Sequence, residues 1–274
     1  MSTLLMVSGA SRGLGQAVAV AFAAQWPSSM EAVLLARSPI DATREAMQAA
    51  RRNSNRMDDM QIQGYEVDLG NLDTLEGSMD PIWKQHASET TTRQHSILVN
   101  CAGTTGAIGK LPTSLRDIRQ AADLNLTSKV WLSTQFIQHY HNHPNHQTTI
   151  INVSSMCAVK PTPTMALYCA TSAGREIFHT VLAADHKDDS NMVRILNYAP
   201  GSCNTDMQAQ LRAEPHLDPA VQAYCHGLLA TNDEKNGGLV ECADTATYLV
   251  QRVLEADFDS GERLEFVDAS TYKY

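Results

Sequence analysis

Apolar runs of strand length recur along the chain, and segments with helical periodicity lie between them. The near-continuous hydrophobicity of these runs is typical of parallel strands that are covered on both faces. Seven runs are predicted as strands, at residues 3–9, 31–37, 62–68, 95–103, 148–155, 192–201 and 262–268. Helices are predicted at about 13–26, 41–52, 72–86, 114–141, 166–185 and 239–256. This alternation predicts an α/β fold with a doubly wound (Rossmann) parallel sheet of about seven strands and helices on both faces.

The chain carries no internal repeat and no linker composition, so we expect a single domain over residues 1–274. Residues 202–238 show no clear strand pattern and are predicted to form a long excursion between the sixth and seventh strands. Excursions of this length in a compact fold are often functional lids, and this one is the candidate substrate loop.

Composition and charge narrow the choice of partners. The formal net charge of −9 disfavours nucleic acid and anionic membranes, because both attract basic surfaces. No apolar stretch reaches the length of a membrane span, and the N-terminal apolar run is predicted as a strand, not as a signal peptide. The cysteines lack paired spacing, which is typical of reduced thiols in the cytoplasm. They are Cys101, Cys157, Cys169, Cys203, Cys225 and Cys242.

Three glycines, Gly9, Gly13 and Gly15, follow the first predicted strand and open the first predicted helix. Glycine permits a tight turn there and lets the backbone approach a bound group closely. The N-terminus of the following helix favours a negative group such as a pyrophosphate. The spacing GxxxGxG is related to the better-known GxGxxG, and it predicts a dinucleotide site.

The residues after the second predicted strand indicate which dinucleotide binds. An NAD site usually has an acidic residue there, which holds the ribose 2′-hydroxyl. This chain has Arg37 and Ser38 instead, and Arg12 lies in the glycine loop. Two guanidinium groups can hold a 2′-phosphate by charge-assisted hydrogen bonds, so we expect NADP(H).

Two hydroxyl side chains suit the chemistry of carbonyl reduction. Ser155 ends the fifth predicted strand, and Tyr168 lies thirteen residues later in the next predicted helix. Reduction of a carbonyl by hydride needs a proton donor at the oxygen and polar groups that stabilise the developing charge. Tyr168 can donate the proton, and Ser155 can hydrogen-bond the same oxygen.

Taken in order, these motifs resemble the short-chain dehydrogenase/reductase family from about residue 3 to residue 268. The resemblance adds "VDLG", "NCAG", "LNLTS" and "YAPG", and it implies that Asn125 holds a water that feeds protons toward Tyr168. With the residues above, it gives a catalytic set of Tyr168, Ser155, Asn125 and Ser172. The expected cofactor contacts are Gly9, Ser11, Arg12, Gly13, Leu14, Gly15, Arg37, Ser38, Asp68, Leu69, Asn100, Ala102, Gly103, Tyr168, Ser172, Pro200, Gly201, Cys203, Thr205 and Met207.

Within that family, "NVSSMCAVKP", "ALYCA" and "VRILNYAPG" resemble reductases of pterin side chains, and diketone reductases have similar motifs. The resemblance implies an NADPH-dependent reductase of a pterin side-chain ketone or a similar vicinal dicarbonyl. Glu265 then occupies the place of an aspartate that anchors the pterin ring. The expected substrate contacts are Ser155, Met156, Tyr168, Gly201 and Glu265. Family members commonly form homodimers through two helices, for which 114–141 and 166–185 are the candidates.

Position 172 departs from the family, which has a lysine four residues after the tyrosine. Ser172 can bond a ribose hydroxyl but supplies no charge to lower the pKa of the phenol. Reduction needs the protonated phenol, so we expect it to survive better than alcohol oxidation. The alternative is an NADPH-binding pseudoenzyme or sensor with little turnover. Lys160 and Arg175 are the other cations considered as substitutes.

Four histidines lie close together in "HYHNHPNH", residues 139–146. The segment offers no nearby cysteine or carboxylate ligand and contains Pro144, so a solvated loop is expected there and no metal site.

Overall fold

The computed structural model describes residues 2–54, 60–87, 93–111, 114–140, 146–188, 193–230 and 238–267. Its centre is a parallel sheet of seven strands in the order β3-β2-β1-β4-β5-β6-β7. The strands are β1 (Ser2–Ser8), β2 (Ser29–Ala36), β3 (Met60–Glu66), β4 (Arg93–Asn100), β5 (Gln147–Val153), β6 (Val193–Ala199) and β7 (Arg263–Glu265). The predicted doubly wound sheet is confirmed.

Helices connect the strands and cover both faces of the sheet. They are α1 (Gly13–Gln25), α2 (Asp41–Asn53), α3 (Leu72–Ala87), α4 (Leu115–Ala122), α5 (Ser128–Tyr140), α6 (Ala166–Asp185), α7 (Asp206–Ala213), α8 (Pro219–Gly227) and α9 (Cys242–Leu254). The single helix predicted at 114–141 is two helices, α4 and α5, joined by a π-helical turn at Asp123–Thr127. No described helix combines the length and the apolarity needed to cross a bilayer.

The strand β1 shows why the apolar runs are nearly continuous. Leu5 and Val7 pack into the core on the α1 and α9 side of the sheet, whereas Leu4 and Met6 pack into the core beneath α3 and α5. Because side chains alternate between the faces of a strand, both faces must be apolar when helices cover both. Each such buried side chain contributes roughly 1.5–3 kcal/mol to folding.

The order of the strands reverses between β1 and β4, and this point determines where a ligand can bind. The chain builds β2 and β3 on one side of β1, then crosses to β4 and continues on the other side. The Ser8 hydroxyl accepts a hydrogen bond from the Cys101 amide at 3.0 Å and donates to the Val99 carbonyl at 3.4 Å. In open sheets of this kind, ligands bind beyond the carboxyl ends of the strands at this reversal.

The excursion at 202–238 contains α7 and α8, which the sequence pattern did not predict. An isolated parallel bridge between Cys203 and Val240 holds its two ends together. Leu211 and Val221 of these helices pack with Met165 in a small apolar cluster that Tyr168 also touches. The excursion therefore packs against the start of α6.

Two of the four clustered histidines, His141 and His143, lie outside the described residues. His139 stacks on Trp83 with a ring separation of 5.1 Å. His146 is buried and forms a hydrogen bond of 3.0 Å with the Ser96 hydroxyl. The described members of the group therefore take part in packing.

Candidate active site

A cavity of about 680 Å³ opens at the carboxyl edge of the sheet. The glycine loop and the end of β2 line one end, and the residues after β5 and the start of α6 line the other. Residues of the excursion between Ser202 and Cys225 also line it. The volume lies in the range of cavities that hold small ligands and cofactors, roughly 300–1,000 Å³.

Most of the residues predicted from the sequence lie around this one cavity. The predicted residues that line it are Gly9, Ser11, Arg12, Gly13, Leu14, Gly15, Arg37, Ser38, Asp68, Leu69, Ala102, Gly103, Ser155, Met156, Tyr168, Pro200, Gly201, Cys203, Thr205 and Met207. The predicted residues outside the described lining are Asn100, Asn125, Ser172 and Glu265. The cavity therefore joins the glycine loop to the Ser155 and Tyr168 hydroxyls.

The glycine loop has a backbone that side chains would obstruct. Gly9 has a φ of +72°, and a Cβ at this position would lie 2.8 Å from the Cα of Ala102. A Cβ on Gly15 would lie 2.2 Å from the carbonyl oxygen of Gly9. Both glycines are required for the turn itself, and the N-terminus of α1 stays open to the cavity. This arrangement fits the pyrophosphate of a dinucleotide.

The far end of the cavity is lined by Arg37 and Ser38, which follow β2 directly. Arg12 also lines this region, where its guanidinium forms an ion pair with the Asp206 carboxylate. Both partners are largely exposed, at 71% and 64%. The Asp68 carboxylate accepts a hydrogen bond of 2.9 Å from the Gly70 amide, which fixes its orientation. This end therefore carries both basic and acidic groups.

The reactive end of the cavity contains the hydroxyls of Ser155 and Tyr168. Ser155 precedes a single 3₁₀ turn, and its Oγ accepts a hydrogen bond of 3.2 Å from the Cys157 amide. Burial raises the pKa of Tyr168, while the charge of Arg175 and hydrogen bonding to Ser155 oppose this rise. The balance favours a protonated phenol at neutral pH, which is the form that can donate a proton.

Arg175 lies two helical turns after Tyr168 and is only 2% exposed. Its Nη2 donates to the Val153 carbonyl at 3.1 Å, and its Nη1 approaches the Asn125 carbonyl at 3.5 Å. Its Nε is buried without a hydrogen-bond partner among the described residues. The guanidinium also interacts with Tyr168, so it supplies positive charge beside the phenol. Lys160, the other candidate cation, is not among the described residues that line the cavity.

Asn125 and Ser172 lie behind the cavity wall, and both are fully buried. The Asn125 amide accepts from the Thr104 amide at 2.9 Å and donates to the Thr104 carbonyl at 2.8 Å. Its side chain thus holds the loop after β4 in place. The Ser172 hydroxyl has no hydrogen-bond partner among the described residues. A buried hydroxyl without a partner is unusual, because leaving it unpaired costs roughly 1–3 kcal/mol.

Lys129 on α5 lines the cavity, although the sequence patterns did not single it out. It is 1% exposed, and its Nζ lies 3.9 Å from a Cβ built on Gly103. Burial and the nearby Arg175 guanidinium lower its pKa. The chain did offer a signal, since Lys129 is the only charged residue between Leu124 and Gln138.

A buried hydrogen-bond network connects the backbones of Lys129 and Arg175. His179 Nδ1 donates to the Arg175 carbonyl at 2.6 Å, and the Ser133 hydroxyl lies 2.8 Å from Nε2. Since the carbonyl only accepts, Nδ1 carries the proton and Nε2 accepts from Ser133. Asn100 Nδ2 donates to Ser133 at 2.8 Å and approaches the Lys129 carbonyl at 3.4 Å. Burial lowers the pKa of His179 to about 4, so the ring is neutral at pH 7.

Glu265 belongs to a charged cluster behind Ser155. The Arg263 Nε donates to its carboxylate at 2.7 Å, and Nη1 of the same arginine lies 2.5 Å from the Glu176 carboxylate. Arg263 Nη2 also donates to the Ser155 carbonyl at 3.2 Å. The cluster supports the loop that carries Ser155. The role of Glu265 as a substrate anchor stays a prediction.

Comparison with known proteins agrees with this geometry. A sequence profile of the family described as short chain dehydrogenase matches residues 3–216. The chain is similar to sepiapterin reductase of Rattus norvegicus, with 31% identity over 268 residues, 96% of this chain and 95% of that protein. It is also similar to benzil reductase ((S)-benzoin forming) of Bacillus subtilis (strain 168), with 26% identity over 217 residues, 78% of this chain and 80% of that protein. The resemblance predicted from the motifs is confirmed.

Solved structures share the fold. The KRED1-Pglu enzyme has a TM-score of 0.75 at 20% identity, covering 96% of this chain and 100% of that one. A 3-oxoacyl-[acyl-carrier protein] reductase from Brucella melitensis in complex with NAD has a TM-score of 0.72 at 18% identity, covering 97% and 95%. A dehydrogenase structure from Agrobacterium tumefaciens with bound NADP has a TM-score of 0.70 at 21% identity, covering 97% and 94%. Since the family profile covers most of the chain, and a relative above 30% identity matches almost its whole length, the chain belongs to the short-chain dehydrogenase family of oxidoreductases.

Proposed function

We propose that the protein is an NADPH-dependent carbonyl reductase that acts on a pterin side-chain ketone or a similar vicinal dicarbonyl. One observation carries this proposal: the Ser155 and Tyr168 hydroxyls lie in the same cavity as an open glycine loop. The similarity to a sepiapterin reductase and to a benzil reductase ((S)-benzoin forming) supports the substrate class, since those names describe reduction of sepiapterin and of benzil.

Tyr168 and Ser155 have different roles in carbonyl reduction. When bound, NADPH supplies the hydride. As hydride reaches the carbonyl carbon and the π electron pair moves onto oxygen, the Tyr168 hydroxyl would donate its proton to that oxygen. Ser155 donates a hydrogen bond to the same oxygen and stabilises its developing negative charge. Solvent then reprotonates Tyr168, so the net products are an alcohol and NADP⁺.

The protonation of Tyr168 favours reduction over oxidation. Burial raises the pKa of its phenol, so the proton donor is present at neutral pH. Alcohol oxidation needs the phenolate, which is scarce in the same environment. Arg175 lies beside the phenol and stabilises the negative charge that forms as the proton leaves.

Preference for NADPH rests on the residues at the far end of the cavity. Arg37 and Ser38 line the cavity directly after β2, at the sequence position where an NAD site usually has an acidic residue. A guanidinium bound to a 2′-phosphate gains charge-assisted hydrogen bonds, worth about 1.5–3 kcal/mol each. We infer from this a preference of at least tenfold for NADPH over NADH.

We also propose that residues 1–274 act as one reductase domain in the cytoplasm and form a homodimer through α6. All six cysteines are free thiols, which suits a reducing compartment. The outer face of α6 exposes Ile177 and Val181, one helical turn apart, at 61% and 51%. An apolar stripe of this kind suits a helix that packs against a second copy.

A substrate panel tests the proposed function. Purified protein is mixed with NADPH or NADH and with sepiapterin, diacetyl, isatin or benzil, and the loss of absorbance of the reduced dinucleotide is followed. We expect turnover with NADPH, and at least a hundredfold less in the Tyr168→Phe variant. Tight NADPH binding without turnover on any member of the panel would favour the pseudoenzyme instead.

A further inference from the structure

We propose that Lys129 on α5 performs the task that the family assigns to the lysine four residues after the tyrosine, here replaced by Ser172. This inference rests on the proposed function, because the task is to hold the ribose beside the nicotinamide and to place positive charge near Tyr168. Lys129 is therefore a cofactor-positioning residue that reaches the site from a different helix.

The position of Lys129 suits this task. Its Nζ lies next to Gly103, and both residues line the cavity that also contains the glycine loop, Ser155 and Tyr168. Asn125, one helical turn earlier, contacts Thr171 of α6 at 3.4 Å, the residue immediately before Ser172. Ser133 of α5 likewise contacts His179 of α6, so Lys129 lies at the level of Arg175, about one helical turn beyond Ser172.

The charges around Lys129 point to a missing acceptor. It is 1% exposed, and the influences on its amine among the described residues are burial, the Arg175 guanidinium and the Cys101 thiol, with no carboxylate beside it. Arg175, whose charge acts on this amine, is also a cation. A buried ammonium normally has an anionic or hydrogen-bonding partner, because desolvation of an unpaired charge is unfavourable. Ribose hydroxyls in the cavity would supply acceptor oxygens for it.

The neighbouring residues explain why one lysine suffices. Ser172 is fully buried and its hydroxyl is unpaired among the described residues, so a short polar side chain stands where a long cation would otherwise extend. A second ammonium beside Lys129 and Arg175 would place three cations in one buried region. Like charges in a low-dielectric environment repel, so a lysine at 172 should be more favourable when the residue at 129 is neutral.

The groups that affect the pKa values of Tyr168 and Lys129 lie on α6, after β5 and after β4. The Tyr168 phenol faces Arg175 on α6, and Ser155 and Cys157 after β5. Lys129 faces Arg175 and the Cys101 thiol after β4. Removing a cation near Tyr168 favours the neutral phenol and raises its pKa. Reduction is lost as the pH rises through that pKa, so the alkaline limb of the pH profile should move to higher pH when Lys129 is neutralised.

Binding and kinetics with four proteins test the inference: wild type, Lys129→Met, Lys129→Met/Ser172→Lys, and Lys84→Met as a surface control on α3. The ligands are NADPH and adenosine 2′,5′-bisphosphate, which lacks the nicotinamide ribose. We expect Lys129→Met to weaken NADPH binding by about ten- to a hundredfold, the effect of one charged hydrogen bond, and to leave the bisphosphate affinity unchanged. The double variant should recover most of the NADPH affinity and the original alkaline limb.

The other outcomes would overturn either the role of Lys129 or the proposed function. Unchanged NADPH affinity and pH profile in Lys129→Met overturn the inference, as does an equal loss of affinity for both ligands that Ser172→Lys fails to restore. A wild-type protein that binds neither ligand overturns the proposed function instead. Lys160→Met, made in parallel, should match the wild type; a loss of NADPH affinity there in place of Lys129→Met would assign the task to Lys160.

Discussion

Acid should destabilise the protein through His179, the neutral ring that links Ser133 to the Arg175 carbonyl. Burial lowers the pKa of this histidine from 6.5 to about 4. Between those two values the unfolded chain binds a proton that the folded chain does not bind. Stability is therefore fully present above pH 6.5 and is lost as the pH falls toward 4. At about 1.36 kcal/mol per pKa unit, the loss from pH 7 to pH 5 is about 2 kcal/mol from this one residue.

Urea unfolding at pH 7, 6 and 5 measures the effect. The His179→Gln variant keeps a polar side chain but cannot titrate, so its free energy of unfolding should fall by about 2 kcal/mol less than that of the wild type over this interval. Ser133→Ala serves as the matched control within the same network. It removes the donor to Nε2 at 2.8 Å but keeps the titrating ring, so it should be less stable at pH 7 yet retain an acid-dependent loss.

An identical pH dependence in His179→Gln and wild type would refute the reasoning, because it would mean that the ring has the same proton affinity in the folded and unfolded states.

The same contacts also predict an effect of pH on NADPH binding. The network holds the backbones of Lys129 and Arg175, so NADPH affinity should fall with stability as the pH approaches 5.

Three further outcomes test other parts of the site. Asp206→Asn should release Arg12 for a 2′-phosphate and raise the affinity for NADPH by up to about fivefold, since an exposed ion pair is worth about 0–1 kcal/mol. The affinity for NADH should not change, and equal gains for both dinucleotides would contradict this. Gly15→Ala should lower the melting temperature and abolish NADPH binding, because the added methyl overlaps a backbone oxygen, whereas the α3 variant Gly77→Ala, with no atom within 4 Å, should bind normally. Ile177→Glu should halve the mass measured by light scattering; an unchanged mass would remove α6 from the interface.

The sequence predicted the sheet well because the central strands β1, β2, β4, β5 and β6 are largely buried on both faces. All seven runs correspond to observed strands, with ends displaced by a few residues. The helix at 166–185 was predicted accurately, since its helical pattern is long and contains no proline. The helices α7 and α8 were missed because they are short. The start of α8 nevertheless carried a signal, as Asp218 caps the helix by accepting from the Ala220 amide and Pro219 occupies its first turn.

The π turn at Asp123–Thr127 shows a limit of periodicity. A helical pattern of 114–141 continues through it without a glycine or proline to mark the change. The turn coincides with Asn125, whose amide bonds both backbone groups of Thr104. These long-range bonds come from the loop after β4, so no local pattern could have predicted them. π turns often occur at functional sites for the same reason.

The candidate site likewise contains features that the local sequence determines and features that only tertiary packing determines. The glycine loop was predictable because its function depends on backbone conformation, which the residue types at 9, 13 and 15 dictate directly. The proposed role of Lys129 was not, because an ammonium group on a flexible four-carbon side chain can reach one point in space from several backbone positions. A motif records only which position the family commonly uses. Packing of α5 against α6 decides whether Lys129 meets that point, so the absence of a lysine at 172 removes a sequence motif without removing a cation from the cavity.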